Sequence, residues 1–256
     1  MNSSNFNDEV PRMRFKFIEK RSIDKGSGFV IPNEELSILR EFVSHANPSR
    51  AAAICSGGEV PLTVLLPICQ EVVAVDHSKT SLGWACLKAL LMEHFDGNAI
   101  KKMFLLENQK TLMGCFKELQ PEMPKELVKS GPFKYESIDS YPHLVTMWLN
   151  LPTTLIDQAR ERLDGLTLIH GDIRDLEGEY DLLYASNATE HQGHDGRGPT
   201  ANDFLPVIRK DGHLLHTHAF PSRHSYPPLS LRHHKRFSGH YNVGGMNWNY
   251  YLHAKV

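Results

Sequence analysis

The sequence has few of the features that mark membrane, secreted or nucleic-acid-binding proteins. Its longest apolar run falls well short of the roughly 20 residues that cross a bilayer, and the polar stretch 1–8 contains no signal-peptide core. Lys and Arg number 28 against 30 Asp and Glu, a net charge of -2, so no basic face for phosphates is predicted. We therefore expect a cytoplasmic protein with a small-molecule substrate, no nucleic-acid partner and no stable membrane insertion; the sequence does not indicate its oligomeric state.

Cysteine is also scarce, and none of it is paired at the spacing of a metal site. We interpret the four cysteines as reduced core residues: Cys55, Cys69, Cys86 and Cys115. Ten of the 15 histidines fall between His191 and His253, but no third ligand stands at a fixed spacing, and we predict no metal site. The one basic run, 232–236, is interpreted as a solvated loop.

What the sequence does contain is an alternation of short apolar runs and helical patterns. Continuous apolar runs that end in glycine or polar residues are typical of buried parallel strands. The pattern predicts an α/β fold: a doubly wound, mostly parallel Rossmann-like sheet, covered by helices on both faces. The predicted strands are 51–55, 72–76, 166–170, 180–185, 213–220 and a closing edge strand, 248–256. The predicted helices are 33–46, 60–68, 81–95 (capped by Ser78) and 204–209 (ended by Gly212 as a left-handed cap).

The chain length suits a single domain, residues 1–256, with two additions. The first is an N-terminal helical arm at about 1–46, whose first 25 residues are polar and charged and form an arm or irregular helix. The second is a helical insertion at about 100–165, broken by several prolines and predicted to lie over the active site.

The candidate cofactor site follows the first two strands. Ser56, Gly57, Gly58 and Glu59 form a turn between a strand and a helix, where glycine lets the backbone approach a ligand closely. Asp76 ends the next strand, 18 positions after Gly58. A carboxylate at that place can accept hydrogen bonds from both ribose hydroxyls of an adenosine.

The turn lacks the Gly-x-Gly-x-x-Gly pattern of dinucleotide sites, and the charge of Glu59 would repel a pyrophosphate. A sulfonium cofactor carries an amino acid arm and a positive charge. It therefore tolerates acidic neighbours. We therefore predict S-adenosylmethionine rather than a nicotinamide cofactor, and no metal.

Two later strands end in polar residues at the same edge of the predicted sheet. Asp172, between Gly171 and Ile173, is placed to accept a hydrogen bond from the adenine amine, or to cap a helix. The next strand runs into Ser186 and Asn187, which we expect to hold the amino acid arm or the nucleophile. Glu190 and His191 follow as candidate bases that deprotonate an attacking amine. Candidate aromatic contacts to the sulfonium are Tyr135, Tyr141, Trp148 and Tyr184.

Taken together, three segments resemble the betaine-lipid synthase type of 3-amino-3-carboxypropyl transferase. They are residues 51–59 with Ser-Gly-Gly-Glu, residues 74–78 with Ala-Val-Asp-His-Ser, and residues 85–91, a helix that resembles the family's Leu-Lys-x-Ala helix. The resemblance implies a Rossmann-like sheet of the class I methyltransferase type. Ser186 and Asn187 match the Ser-Asn of that family's later strand end. The resemblance covers roughly residues 45–115 and 165–220, and it adds His77 and Ser78 to the expected cofactor contacts.

The resemblance implies attack at Cγ of the cofactor's amino acid arm, with methylthioadenosine as the leaving group. The attacking group is a small nucleophile or the cofactor's own amine, which would close azetidine-2-carboxylate. Holding nucleophile, carbon and sulfur in line supplies much of the catalysis in such a substitution. The alternatives are a small-molecule S-adenosylmethionine-dependent methyltransferase on the same fold and a non-catalytic adenosine-binding protein.

Overall fold

The computed structural model describes residues 13–20, 35–105, 109–129, 147–186, 201–218, 231–243 and 246–255. The strands are β1 (Lys16–Glu19), β2 (Arg50–Ile54), β3 (Glu71–Asp76), β4 (Leu166–His170), β5 (Tyr180–Ser186), β6 (Ile208–His218), β7 (Leu231–Val243) and β8 (Met246–Lys255). The α-helices are α1 (Leu36–Ala46), α2 (Lys79–His94), α3 (Gly97–Met103), α4 (Gln109–Leu119), α5 (Lys125–Val128), α6 (Thr153–Glu161) and α7 (Ala201–Phe204). A π-helix covers Val60–Leu65, and 3-10 helices cover Gln120–Glu122, Leu163–Gly165, Ile173–Asp175 and Leu205–Val207.

The strands form one sheet in the order β1-β4-β3-β2-β5-β6-β8-β7. Neighbouring strands are parallel except where β8 pairs antiparallel with β6 and with β7. After β2 the chain steps outward through β3 and β4, and β5 then returns to the other side of β2. The strand order therefore reverses between β2 and β5. The predicted doubly wound, mostly parallel sheet of the class I methyltransferase type is confirmed.

Apolar side chains cover both faces of this sheet, as buried parallel strands require. The larger core lies on the face that α1, the π-helix and α2 cover, and it includes Ala51, Ala53 and Val72 of the central strands. The smaller core lies on the other face, where Ala52 and Val75 pack with residues that include Phe204 of α7. Neighbouring residues of a strand point alternately into the two cores. Every residue of these runs is therefore buried on one face or the other, which explains why the runs are apolar throughout.

Helix α2 is buried around its whole circumference. Every residue from Ser81 to Met92 is buried, and a helix that is apolar on all sides needs partners on all sides. It contacts β3 and β4 on the sheet side, and it also contacts α3, α4, α5 and α6. The described helices of the predicted insertion thus form an additional layer that covers α2, and the position of the insertion over the active site stays a prediction. Among the described residues, no helix is both long and apolar enough to span a membrane.

The predicted cap of α2 and the predicted inner side of α1 are also confirmed. Ser78 caps α2 by accepting a hydrogen bond from the amide of Ser81. In α1, the buried side chains are Leu36, Leu39, Phe42 and Val43, which were predicted to share its inner side.

The expected helical arm is wrong at Lys16–Glu19, which form strand β1 at one edge of the sheet. This strand pairs in parallel with β4, and the amide of Lys20 continues the pairing by donating to the carbonyl of His170 at 2.9 Å. Four residues without a fully buried side chain carry too little periodicity to distinguish a strand from an arm. The pairing with β4, far away in sequence, decides the conformation.

The predicted helix 204–209 is wrong in its second half, and so is the cap at Gly212. The helix ends at Phe204, a 3-10 turn follows, and β6 begins at Ile208. The pairing of β6 with β5 is irregular near its start, and Asp211 rather than Gly212 has a positive φ, 63°. Gly212 is required for another reason: a Cβ there would lie 2.9 Å from the carbonyl oxygen of Tyr180.

Two features at the other edge also differ from the prediction. The basic run 232–236 is part of β7 rather than of a loop, and β7 forms the edge of the sheet. The predicted edge strand 248–256 is β8, which lies inside the sheet between β6 and β7. Lys and Arg are common on exposed edge strands, where charge opposes pairing with another chain. A basic run therefore fits an edge strand as well as it fits a loop.

Candidate cofactor site

The turn after β2 has an unusual backbone conformation. Ser56, Gly57 and Gly58 have φ angles of 42°, 88° and 104°, in the left-handed region that glycine tolerates and serine seldom adopts. The amide of Gly58 closes the turn by donating to the carbonyl of Cys55 at 2.8 Å. The π-helix Val60–Leu65 begins directly after it, and π-helices are frequent at functional sites.

Asp76 lies at the end of β3 and contacts this turn, as predicted from its position. Its Oδ2 accepts a hydrogen bond from the amide of Ser56 at 3.2 Å, and its Oδ1 accepts one from the amide of Ser78 at 2.9 Å. Burial raises the pKa of Asp76, and these amide donors partly oppose that shift. The side-chain hydroxyl of Ser81 also donates to this carboxylate, so that of its roughly four lone-pair sites one remains for a further hydroxyl donor.

The neighbours of Asp76 complete this edge of the sheet. The side chain of His77 is 60% exposed, and its Nδ1 lies 3.7 Å from Oδ1 of Asp76. The amide of Gly171 donates to the carbonyl of Asp76 at 2.9 Å, which joins the ends of β3 and β4. Ser56, Gly57, Asp76, His77, Ser78 and Gly171 are thereby brought together at the carboxyl ends of neighbouring strands.

Ser186 occupies the matching position on the other side of the crevice. The register of β2 and β5 pairs Ala53 with Tyr184, which places Ser186 beside the start of the glycine turn. Ser186 also has a positive φ, 50°, and it is buried. Non-glycine residues in this region store strain that is often found at functional sites. Ser56 and Ser186 thus flank the point of strand-order reversal, where ligands bind in open α/β sheets.

Glu59 is placed differently from an exposed cofactor contact. It is fully buried, its Oε1 forms an ion pair with Nζ of Lys88 on α2, and the indole N–H of Trp148 donates to the same oxygen at 3.2 Å. The ammonium of Lys88 compensates the charge of Glu59, so the argument that Glu59 repels a pyrophosphate loses its basis. The spacing of residues in the sequence does not reveal that Lys88 and Trp148 both contact Glu59.

Asp172 acts as the cap that the sequence offered as its second interpretation. It accepts a hydrogen bond from the amide of Arg174 at 3.0 Å and begins the 3-10 helix Ile173–Asp175. Its carboxylate also pairs with the guanidinium of Arg174, at 2.9 Å and 2.7 Å. Ile173 is buried in the smaller core. The role of Asp172 toward adenine stays a prediction.

The remaining candidates fall into two groups. Trp148 and Tyr184 are fully buried in the larger core, where Trp148 stacks on Phe104 with ring centroids 5.2 Å apart. The others lie outside the described residues: Asn187, Glu190, His191, Tyr135 and Tyr141. Within the part of the chain that the structure describes, no group of three or more His, Cys, Asp or Glu residues is arranged to hold a metal ion.

A second depression, of about 500 Å³, lies at the opposite edge of the sheet and includes Asn47, Gln70 and Arg162 in its lining. The guanidinium of Arg162 donates to the carbonyls of Ile68 and Cys69 at 2.9 Å and 3.1 Å. Arg162 thereby satisfies carbonyl groups that follow the π-helix, which is a structural role. The strand-end rule favours the carboxyl edge as the ligand site.

No protein-family model matches the chain, and no curated protein matches it by sequence. Among solved structures, it is similar to the N-methyltransferase NodS from Bradyrhizobium japonicum WM9, at 10% identity and a TM-score of 0.49 over 86% of this chain and 93% of that one. It is also similar to the rRNA methyltransferase aviRa from Streptomyces viridochromogenes, at 14% identity and a TM-score of 0.46 over 91% and 94% of the two chains. At these values the similarity assigns neither a ligand nor a reaction to the chain.

Proposed function

We propose that the chain binds S-adenosylmethionine at the carboxyl edge of the sheet and catalyses transfer from it. The observation that carries this proposal is the contact of Asp76 with the glycine turn at the point where the strand order reverses. Asp76 is held by two backbone amides and by the side chain of Ser81, and its remaining lone pair is available for a ribose hydroxyl. Gly57 and Gly58 leave the backbone of the turn open to close approach by the ligand.

Within this class, we propose attack at Cγ of the amino acid arm as the reaction. The two motifs that carry the resemblance to aminocarboxypropyl transferases are joined in the structure, because Glu59 of the first pairs with Lys88 of the second. In this reaction the lone pair of the nucleophile forms a bond to Cγ. The bond from Cγ to sulfur breaks, its electron pair stays on sulfur, and neutral methylthioadenosine leaves. An amine nucleophile releases its proton to a base, for which Glu190 and His191 are the candidates.

Methyl transfer is the second candidate, and the strand order favours it. The antiparallel β8 between β6 and β7 gives the sheet the class I methyltransferase arrangement. A fold supports many chemistries, so this observation does not choose between the carbons of the cofactor. In methyl transfer the by-product is S-adenosylhomocysteine.

The by-product therefore tests the proposal directly. The purified chain is incubated with S-adenosylmethionine alone and then with small amines and alcohols, and the nucleoside formed is identified by mass spectrometry. We expect methylthioadenosine; its formation without an acceptor identifies cyclisation. S-adenosylhomocysteine would identify the methyltransferase instead, and the absence of both nucleosides in every mixture would favour a non-catalytic binding protein.

Two variants test the residues that this proposal uses. Asp76→Ala is expected to weaken binding of the adenosyl ligand, measured by calorimetry; unchanged affinity would contradict the proposed ribose contact. Asn187→Ala is expected to slow turnover while the ligand still binds, because we propose that Ser186 and Asn187 hold the amino acid arm or the nucleophile. Unchanged turnover with intact binding would contradict that role.

The acceptor is proposed to be a small molecule or the cofactor's own amine. The net charge of -2 supplies no general excess of cations for phosphate contacts. Because the similar structure aviRa is an rRNA methyltransferase, ribosomal RNA belongs in the acceptor screen. Transfer of a cofactor group to RNA would contradict the small-molecule proposal and leave the cofactor proposal standing.

A further inference from the structure

A buried ion pair links helix α2 to the candidate cofactor turn. Lys88 and Glu59 each have 0% of their surface exposed, and Nζ of Lys88 contacts Oε1 of Glu59. Lys88 lies in the middle of α2, 29 residues after Glu59. Its ammonium also lies 5.6 Å from the centroid of the Trp84 ring.

This ion pair is not expected to stabilise the fold. Moving two charges out of water costs more than their attraction returns unless their remaining hydrogen-bonding groups are satisfied. Oε2 of Glu59 is buried and accepts no hydrogen bond from the described residues. Burial raises the pKa of Glu59 and lowers that of Lys88, so desolvation opposes both charges. An apolar pair of similar volume would be expected to stabilise the fold as well or better.

The contact of Lys88 with the turn indicates what the pair does. Nζ of Lys88 donates a hydrogen bond to the carbonyl oxygen of Gly57 at 2.9 Å. Gly57 is the middle residue of the three with positive φ, and the amide of the same peptide group, that of Gly58, donates to the carbonyl of Cys55. Asp76 holds an earlier peptide of the turn, Cys55–Ser56, through the amide of Ser56. Two charged side chains therefore hold the backbone of the turn at two of its peptide groups.

We propose that Lys88 is a positioning residue, which, anchored by Glu59, fixes the Gly57 carbonyl and thereby the shape of the turn that receives the adenosyl ligand. This inference rests on the proposed function, because the ligand is the one proposed above. Lys88 acts through the backbone of Gly57 and does not touch the ligand. Without it, the peptide keeps the hydrogen bond from Gly58 to Cys55 but loses its second anchor, so the turn samples more shapes and the apparent affinity falls in proportion to the fraction of chains with the competent one.

Trp148 extends this arrangement to the helical layer that covers α2. Its indole N–H donates to Oε1 of Glu59, and its ring stacks on Phe104 at an interplanar angle of 6°. The stacking fixes the ring, and the ring fixes the carboxylate that holds Lys88. Trp148→Phe would remove the donor and keep an aromatic ring in place.

The decisive variant replaces both charges at once. Glu59→Gln/Lys88→Met leaves no uncompensated charge in the core, and we expect its thermal melting temperature to stay near that of the unmodified chain. Its affinity for S-adenosylmethionine, S-adenosylhomocysteine and methylthioadenosine, measured by calorimetry, is expected to fall by roughly tenfold or more. With turnover measured, KM is expected to rise while kcat at saturation changes little, since the loss is in binding.

The control is Asp181→Asn at the opposite edge of the sheet. Asp181 is buried and accepts hydrogen bonds from the amides of Ser49 and Arg50 at 2.7 Å and 3.0 Å. Like the pair, it is a charged group that anchors backbone. We expect Asp181→Asn to lower the melting temperature and to leave ligand affinity unchanged, which separates positioning of the turn from general stability.

Three results would overturn the inference. The first is wild-type affinity in the folded double variant. The second result concerns Trp148→Phe, which replaces the double variant if that variant does not fold. We expect Trp148→Phe to fold and to bind the ligand a few times more weakly. Unchanged affinity of Trp148→Phe would count against the proposal. The third is failure of the unmodified chain to bind any of the three nucleosides, which would contradict both the proposed function and this inference. If the unmodified chain binds and the folded double variant binds equally well, only this inference is contradicted.

Discussion

A Cβ atom placed on Gly58 would lie 2.7 Å from both Cα and Cβ of Ala85 on α2. Real Cβ atoms do not approach other carbons so closely, and the backbone of α2 cannot move away without disturbing a helix that is buried on all sides. The glycine turn and α2 are therefore in direct backbone contact at this point. The same helix reaches the turn a second time through Lys88.

The first prediction concerns this contact. Gly58→Ala combines overpacking with a φ of 104° that alanine seldom adopts, and we expect it to lower the free energy of unfolding by about 2–4 kcal/mol. Urea unfolding measures the change. The matched control is Gly114→Ala in α4, where an added Cβ meets nothing within 4 Å; there we expect a gain of up to about 1 kcal/mol. Equal stability of the two variants would show that the turn tolerates a side chain.

The second prediction concerns pH. Burial raises the pKa of Asp76, so its carboxylate becomes protonated at a higher pH than an ordinary aspartate. Only the ionised form is purely an acceptor, because the protonated form has an O–H donor in place of one lone pair. We therefore expect affinity for S-adenosylhomocysteine to fall as the pH drops through this raised pKa, and Asp76→Asn to bind weakly with little pH dependence in the same range.

The raised pKa of Asp76 has the opposite effect on the stability of the fold: as the pH rises, ligand affinity is expected to increase and stability to decrease. A carboxyl group whose pKa is raised in the folded chain binds its proton more tightly there than in the unfolded chain, so it contributes less stability as the pH rises. Asp76→Asn is expected to retain or increase stability at neutral pH. His77→Ala is the control that removes the adjacent imidazole, 3.7 Å away, and keeps the carboxylate. A pH dependence of binding that survives in Asp76→Asn and disappears in His77→Ala would assign it to the histidine.

The third prediction separates the two interpretations of Asp172. Its capping bond to the amide of Arg174 is expected to contribute about 1 kcal/mol, which Asp172→Ala should lose. If Asp172 also accepts the adenine amine, the unmodified chain prefers S-adenosylhomocysteine over its inosine analogue, which has a carbonyl there, and the variant loses that preference. We expect both effects, measured by urea unfolding and by calorimetry. A variant that loses stability but keeps the preference would leave Asp172 with the cap alone.

The fourth prediction concerns the cysteines. Cys55, Cys69 and Cys86 are buried, and burial raises the pKa of Cys69 to about 12; Cys115 is partly exposed. Because the thiolate is the reactive form, we expect iodoacetamide to label Cys115 first in the folded chain, and the other three only when urea unfolds it. Mass spectrometry of the labelled peptides gives the order. Early labelling of Cys55 would instead indicate that the strand end beside the glycine turn opens.

Several parts of the fold follow from the sequence because they depend on neighbours in the chain. The run 51–55 is apolar throughout and ends in two glycines, so it is predictable as a buried strand that enters a turn. Ser78 caps α2 for a reason that lies within four residues. Asp76 was placed correctly at the edge of the sheet, because the carboxyl end of a parallel strand is fixed once the strand is recognised.

Other parts depend on contacts that no local pattern contains. Lys16–Glu19 become a strand through pairing with β4, and the basic run 232–236 belongs to an edge strand through pairing with β8. The helix predicted at 204–209 gives way to β6 because Ile208 pairs with Tyr180. In each case the hydrogen-bond partners that decide the conformation lie many residues away.

The sequence by itself determined the α/β class, the central strands and the edge of the sheet at which a ligand is expected, since apolar runs and strand ends are local features. Only the tertiary structure decided that Glu59 is buried against Lys88 and Trp148 rather than exposed beside the ligand. An acidic residue after two glycines looks the same in either environment. What distinguishes them is the cation that the fold brings to it from the next helix.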